Sequence, residues 1–396
     1  MATVTKSIGT DSRDYSTITL WEADLDNGSV YNSGDDAVGE CYNDSVFDEE
    51  INFSNGTTVG LNSIKLTVPE AERHDGTEGT GARVVPTSTS NNSILDFDNN
   101  TIPKTVEWLE LDCNGLDYNY GIYNGSTFTT EIILRNLILH NLKNTTGSGS
   151  VYGVYANNRA VQIMNCLIYD ISNNEFTGGD IWGINNDNDS SFAAVLNCTV
   201  WLLTSVRSDQ STFGIEVTNN GTGYGVQNCL VTQLSGTATE KLCIVSAANP
   251  TYDYNGVSDD SAPGANSLHN LVDTDLFVST VLGSVDLHLK ESASVKGQGD
   301  DLGTTPTNVN IDIDGFDRDS AGVSWDMGAD QTEGADSSSS SESSDSSSSE
   351  SSSDSSSSES QEESSQSSES SESSESSSSS QSEEPISWVI VSQSGG

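Results

Sequence analysis

The chain has 396 residues, 60 acidic and only 14 basic, for a net charge of -46, and no Lys or Arg follows Arg318. Such a surface repels phosphate backbones and anionic membranes, which disfavours nucleic acid and lipid as partners and leaves neutral glycans, cationic surfaces and divalent metals. There is no run of 18 apolar residues to span a bilayer, and the last 61 residues cannot add to a core, which leaves a globular part of 335 residues.

Met1 to Lys6 lacks the apolar core of a secretory signal peptide, so export by the general secretory route is not expected. Residues 1–60 read as an N-terminal cap. Val4 to Ile8 has the composition of a strand. Asp14-Tyr15-Ser16-Thr17 ahead of Ile18, Leu20, Trp21 and Leu25 predicts a short amphipathic helix capped by Ser16 or Thr17.

Residues 61–250 read as coils of a solenoid. Tyr120-Gly121-Ile122, Tyr152-Gly153-Val154, Trp182-Gly183-Ile184 and Phe213-Gly214-Ile215 recur at steps of 32, 30 and 31 residues. In phase with them run Leu134-Arg135-Asn136-Leu137, Ile163-Met164-Asn165-Cys166, Val195-Leu196-Asn197-Cys198 and Val226-Gln227-Asn228-Cys229, at steps of 29, 32 and 31. A period near 30 made of short β-branched and aromatic runs, bounded by Asn, Asp, Gly and Ser, predicts three short strands per coil. Asn62-Ser63-Ile64 and Asn92-Ser93-Ile94 extend the phase towards the N-terminus. Between them Arg73 to Arg83 is a glycine-rich polar loop, read as an inter-coil connection with a catalytic loop as the alternative. Cys113, Cys166, Cys198 and Cys229 share a slot that also accepts Leu137, which predicts reduced cysteines packed as small hydrophobes.

Strand alternation predicts that the aromatic and the aliphatic of the glycine marker point inward, with the glycine and the next residue facing out. The outward column is then Tyr123, Tyr155, Asn185 and Glu216, a candidate carbohydrate-binding flank. If the protein hydrolyses a glycan, Glu216 with Asp187 or Asp189 are the candidate catalytic carboxylates. A lyase needs a base, and Arg135, Lys143, Arg159 and Arg207 are scattered over different turns; His140 is the only histidine of the central coils.

These repeats resemble the right-handed parallel β-helix proteins of the pectin-lyase-like superfold, over about residues 60–330. In that family an asparagine occupies the tight turn between two strands of each coil and stacks on the one above; Asn136, Asn165, Asn197 and Asn228 match, and Asn tolerates the left-handed backbone such a turn requires. The resemblance implies an all-β fold. Its function is left open, because the superfold hosts lyases, hydrolases, adhesins and phage spikes. Gly9 to Ile18 with Trp21-Glu22 is similar to the opening of β-helix repeat proteins from marine bacteria and phages. A surface-type fold without a leader fits a virion fibre or surface-decoration protein, located on the virion or an extracellular surface. Phage spikes of this superfold are commonly trimers, which makes a homotrimer the implied assembly.

Residues 251–335 resemble the closing segment of such proteins, through Asp275-Leu276-Phe277, Val285 to Lys290, Asp312 to Arg318 and Trp325 to Asp330. No cofactor is expected, with calcium as the one candidate. Asn310-x-Asp312-x-Asp314-Gly315 has the first half of a calcium loop, although its twelfth position is Ala321 rather than Glu. Residues 336–384, almost entirely Ser, Asp, Glu and Gln, predict a disordered acidic linker. Residues 385–396 contain the apolar strand Pro385 to Ser392, suited to docking on another virion or surface protein by strand addition.

Overall fold

The computed structural model describes residues 2–332, apart from 98–100, 126–130, 146–148, 157–160, 175–178, 187–193, 218–224, 247–251 and 321–323. The acidic linker and the apolar terminal strand expected at 336–396 lie outside the described residues, as do Asp187, Asp189, Arg159 and Ala321.

The chain winds as a parallel β-helix of about seven turns. Each central coil contributes one strand to each of three parallel sheets. In the coil around Asn136 these are Ile132–Arg135 in the first sheet, Ile138–Asn144 in the second and Val151–Ala156 in the third. The sheets hold nine, seven and seven strands, and the next coil repeats the pattern with Val161–Met164, Leu167–Asn173 and Ile181–Asn186. One continuous core of inward Val, Ile, Leu and Cys runs through the coils. All six cysteines are free and buried, as the shared slot predicts for Cys113, Cys166, Cys198 and Cys229; the Sγ atoms of Cys166, Cys198 and Cys229 meet the carbonyls two residues back at 3.2, 3.3 and 3.4 Å.

The turn asparagines behave as expected. Asn136, Asn165, Asn197 and Asn228 have φ between 50° and 55°. Asn197 donates to Asn165 Oδ1 at 3.0 Å, and Asn228 donates to Asn197 Oδ1 at 3.1 Å, so neighbouring rungs are tied through their amides.

At the N-terminus the helix is Ile18–Ala23, with Thr17 as its cap, accepting from the Leu20 N–H at 3.1 Å. Ile18, Trp21 and Leu25 are buried, whereas Leu20 is 52 % exposed. Residues 1–60 do more than cover an end: Thr3–Ile8 and Asp36–Cys41 pair with each other, and the latter with Ser63–Thr67, so the first sheet already begins at Thr3.

The coils run a little past 250, to Tyr252–Asp253 and Gly256–Val257. The chain then turns back. A hairpin of Phe277–Val281 and Ser284–Leu289 packs with Val295, Ile313, Met327 and Ala329 on the outer face of the second sheet, against Ile138, Leu167, Tyr169, Trp201 and Leu230. Residues 300–312 run along the asparagine turns: Asn228 donates to the Asp300 carbonyl at 2.8 Å, Asn197 to Val309 at 2.9 Å, Asn165 to Val309 at 3.3 Å, and Asn136 to Asp312. The closing segment is therefore a strap along the flank of the solenoid. Among the described residues no helix is long and apolar enough to cross a membrane.

Candidate functional site

Strict alternation breaks once in each central strand of two sheets, and these breaks decide which side chains reach the surface. In the third sheet the pairing skips the glycine: Tyr152 pairs with Trp182 and Val154 with Ile184. The glycine and the aliphatic both turn inward, so the aromatic faces out, contrary to the alternation reading. A Cβ at Gly183 would stand 2.6 Å from the Gly214 carbonyl oxygen and 2.5 Å from Val200 Cγ1 in the core. Only glycine fits between two such rungs. Cys243 takes the glycine's place on the last strand of this sheet, where no further strand follows to clash with it.

The outer face of the third sheet thus carries two adjacent columns. Tyr120, Tyr152, Trp182 and Phe213 form one; the predicted Tyr123, Tyr155, Asn185 and Glu216 form the other. Tyr152 and Trp182 stack at 4.6 Å between centroids, Tyr120 and Tyr152 at 5.3 Å, and Tyr123 and Tyr155 at 5.7 Å. The ring faces are spent on one another, which stabilises the coils. Glu216 accepts from Trp182 Nε1 at 2.6 Å and from Asn185 Nδ2 at 2.9 Å. Its carboxylate is a fixed acceptor; its proposed catalytic partners lie outside the described residues.

The second sheet breaks alternation in the opposite sense. Asn141, Asp170, Leu202 and Gln233 have φ of 57°, 52°, 55° and 60° in mid-strand, and the pairing passes over them. Two consecutive residues then face out, His140 with Asn141 and Tyr169 with Asp170. This doubling floors a cleft of about 510 Å³ lined also by Glu78, Arg83, Glu110, Asp112 and Lys143, and bounded by Leu282 and Gly283 at the hairpin tip.

Its polar groups are held in place. Asp112 and His140 are direct cross-strand partners, as are His140 and Tyr169. His140 Nε2 meets Glu110 Oε1 at 3.0 Å while Nδ1 lies 3.8 Å from Glu78 Oε2. Tyr169 donates to Glu78 at 3.1 Å and stacks on the imidazole at 5.0 Å. The Gly79 N–H anchors Glu110 Oε2 at 2.6 Å, and Asn141 donates to Asp112 at 3.1 Å. Burial opposes the charged imidazolium, but the Glu110 hydrogen bond and the charges of Asp112, Glu110 and Glu78 outweigh it and raise the His140 pKa. Burial, then the Glu78 charge, pushes the Tyr169 phenol far above its ordinary value.

The polar loop 73–83 thus contributes to the cleft as more than a connection, and Lys143 lines it. Of the other bases, Arg135 pairs with Glu107 at 2.5 Å and Arg207 with Asp209 at 2.5 Å. In the calcium half-motif Asp312 and Asp314 bring their carboxyl groups together, whereas Asn310 donates to Asp317 at 2.7 Å, and Asp312 also accepts from the N–H groups of Phe316 at 2.6 Å and Gln331 at 3.0 Å. The first of these and the Phe316 bond close the 310–317 loop, and the Gln331 bond ties it to the end of the strap. Asp314 also faces His288.

No family model matches the chain, and no curated protein matches it.

Proposed function

We propose that this protein is a non-enzymatic, glycan-binding β-helix, a fibre or surface-decoration module that holds a saccharide in the cleft of its second sheet. The observation that carries the reading is the cleft's lining: a lysine and an arginine beside carboxylates, an amide and a tyrosine that their mutual hydrogen bonds orient on a strand floor. Saccharides are recognised by many fixed donors and acceptors around a pocket of this size. The net charge favours neutral or cationic glycans over polyanionic ones.

A second reading, cleavage of the bound glycan, is favoured by one feature, the His140–Glu110 pair beside Asp112, which sets an imidazole able to carry a proton next to a carboxylate. One experiment separates the two: the full chain incubated with a polysaccharide panel, scored for bound protein and released oligosaccharides. Binding without release, weakened about tenfold or more by Lys143→Ala with Asp112→Asn, is the expected result. Release that disappears in His140→Gln establishes an enzyme instead. Binding lost in Tyr155→Ala with Glu216→Gln, but kept in the cleft variants, moves the site to the third sheet; no binding to any glycan sinks the reading.

A further inference from the structure

The strap gathers a separate set of groups outside the lining of the cleft. In Ser284–Leu289 the side chains alternate, so that Val285, Leu287 and Leu289 pack on the second sheet while Asp286 and His288 turn the other way. His288 Nδ1 meets Asp286 Oδ1 at 2.6 Å, which fixes the ring and leaves Nε2 to face elsewhere. Nε2 faces Asp314 Oδ2 at 3.8 Å, too far for a hydrogen bond. Donor atoms of His288, Asp314 and Asp330 all lie within 4.8 Å of one another, although they come from three separate segments.

The loop 73–83 closes the site with a glycine. A Cβ on Gly76 would lie 2.5 Å from His288 Nε2, so the space beside that nitrogen exists because no side chain fills it. The nearby buried cation does not neutralise the carboxylates by direct pairing. Arg318 gives its guanidinium to the carbonyls of Asp326, Gly328 and Ala329 and to the Gln331 amide oxygen, at 2.8 to 3.4 Å.

From this geometry we infer that His288, Asp314 and Asp330 bind a first-row divalent metal ion of the Zn²⁺ or Mn²⁺ class. An imidazole nitrogen with two carboxylates is a donor set these ions accept, whereas Ca²⁺ is held by oxygens alone. Donors about 2.1 Å from a tetrahedral ion stand about 3.4 Å apart, so the His288–Asp314 gap closes with a small side-chain shift. Asp286 is the outer carboxylate that orients the histidine. The ion joins the hairpin to the end of the strap, beside Gly76 of the loop 73–83.

The test is Zn²⁺ titration of the full chain by calorimetry after dialysis against chelator, with Co²⁺ as a visible-absorption reporter of low coordination number. One tight equivalent is expected, weakened by at least about tenfold in His288→Gln and in Asp330→Asn, and by about ten- to a hundredfold in Asp286→Asn. Should Asp330→Asn lose its folded circular-dichroism spectrum, the exposed Asp314→Asn decides in its place. Absence of a stoichiometric site in the wild type overturns the assignment. So does binding that survives His288→Gln, or that is lost in His140→Gln instead, or that shows no Co²⁺ spectrum.

Discussion

Glu107 shows how single residues hold the outer faces. It is 2 % exposed and is reached by three neighbours: Lys65 at 2.5 Å, Arg135 at 2.5 Å and the Thr67 hydroxyl at 2.7 Å. Burial alone would raise its pKa, but Arg135 and Lys65 outweigh it and hold the carboxyl below its ordinary value. The stabilisation that goes with this depressed value is present above the unfolded-state pKa of about 4.3 and fades as pH falls through the lower folded-state value. Glu107→Gln strands the largely buried Arg135 charge and is expected to cost about 3 to 5 kcal/mol at pH 7. Urea denaturation at pH 7 and again at pH 3 checks both size and sign: the deficit should shrink at the lower pH.

At the scale of the strand and its turn, the glycine column of the third sheet sets how closely the coils approach. Gly183→Ala drives a methyl group into the Gly214 carbonyl and Val200, so it should destabilise by about 1 to 3 kcal/mol, read as a lower midpoint in thermal unfolding. Cys243→Ala, at the end of the same column, should cost less than Gly183→Ala because the side chain there meets Ser258 Oγ at 3.4 Å rather than the carbonyl of another strand. The period, the left-handed asparagines and the reduced cysteine slot were legible because each depends on a residue type that repeats with the coil. The outward aromatics were not. A single residue passed over in the pairing reverses the parity of a strand, and nothing in Tyr-Gly-Ile says whether glycine is the one passed over. The cleft was missed for a related reason, since Glu78, Asp112, His140 and Tyr169 lie far apart in the chain. Their signal was the coil step itself: Asp112, His140, Tyr169 and Trp201 fall one per coil in a single register column. Phasing polar residues as well as glycines would have placed the histidine beside the carboxylate.

Over the whole described molecule, the strap changes what kind of solenoid this is. A simple stack gains stability only from neighbouring coils, whereas residues 300–312 bind the turns of four successive coils. Asn197 is the central tie, donating to Asn165 and Val309 and accepting from Asn228. Asn197→Ala leaves buried partners unpaired and places alanine in a left-handed turn, with an expected loss of about 3 kcal/mol. If the strap couples the coils, fluorescence and circular dichroism should still report one shared urea transition; separate transitions would mean that the coils unfold piecemeal.

The strap also sets a timetable for biogenesis. Asp300 follows its partner Asn228 by 72 residues, and Asp312 follows Asn136 by 176. At a synthesis rate of about 5 to 20 residues per second, the early turns emerge from the ribosome seconds to tens of seconds before the segment that binds them. During that interval the apolar flank of the second sheet, from Ile138 to Leu230, has no cover of its own. Completion of the solenoid therefore waits for the strap, and a chain released before it is left with a half-dressed, adhesive side.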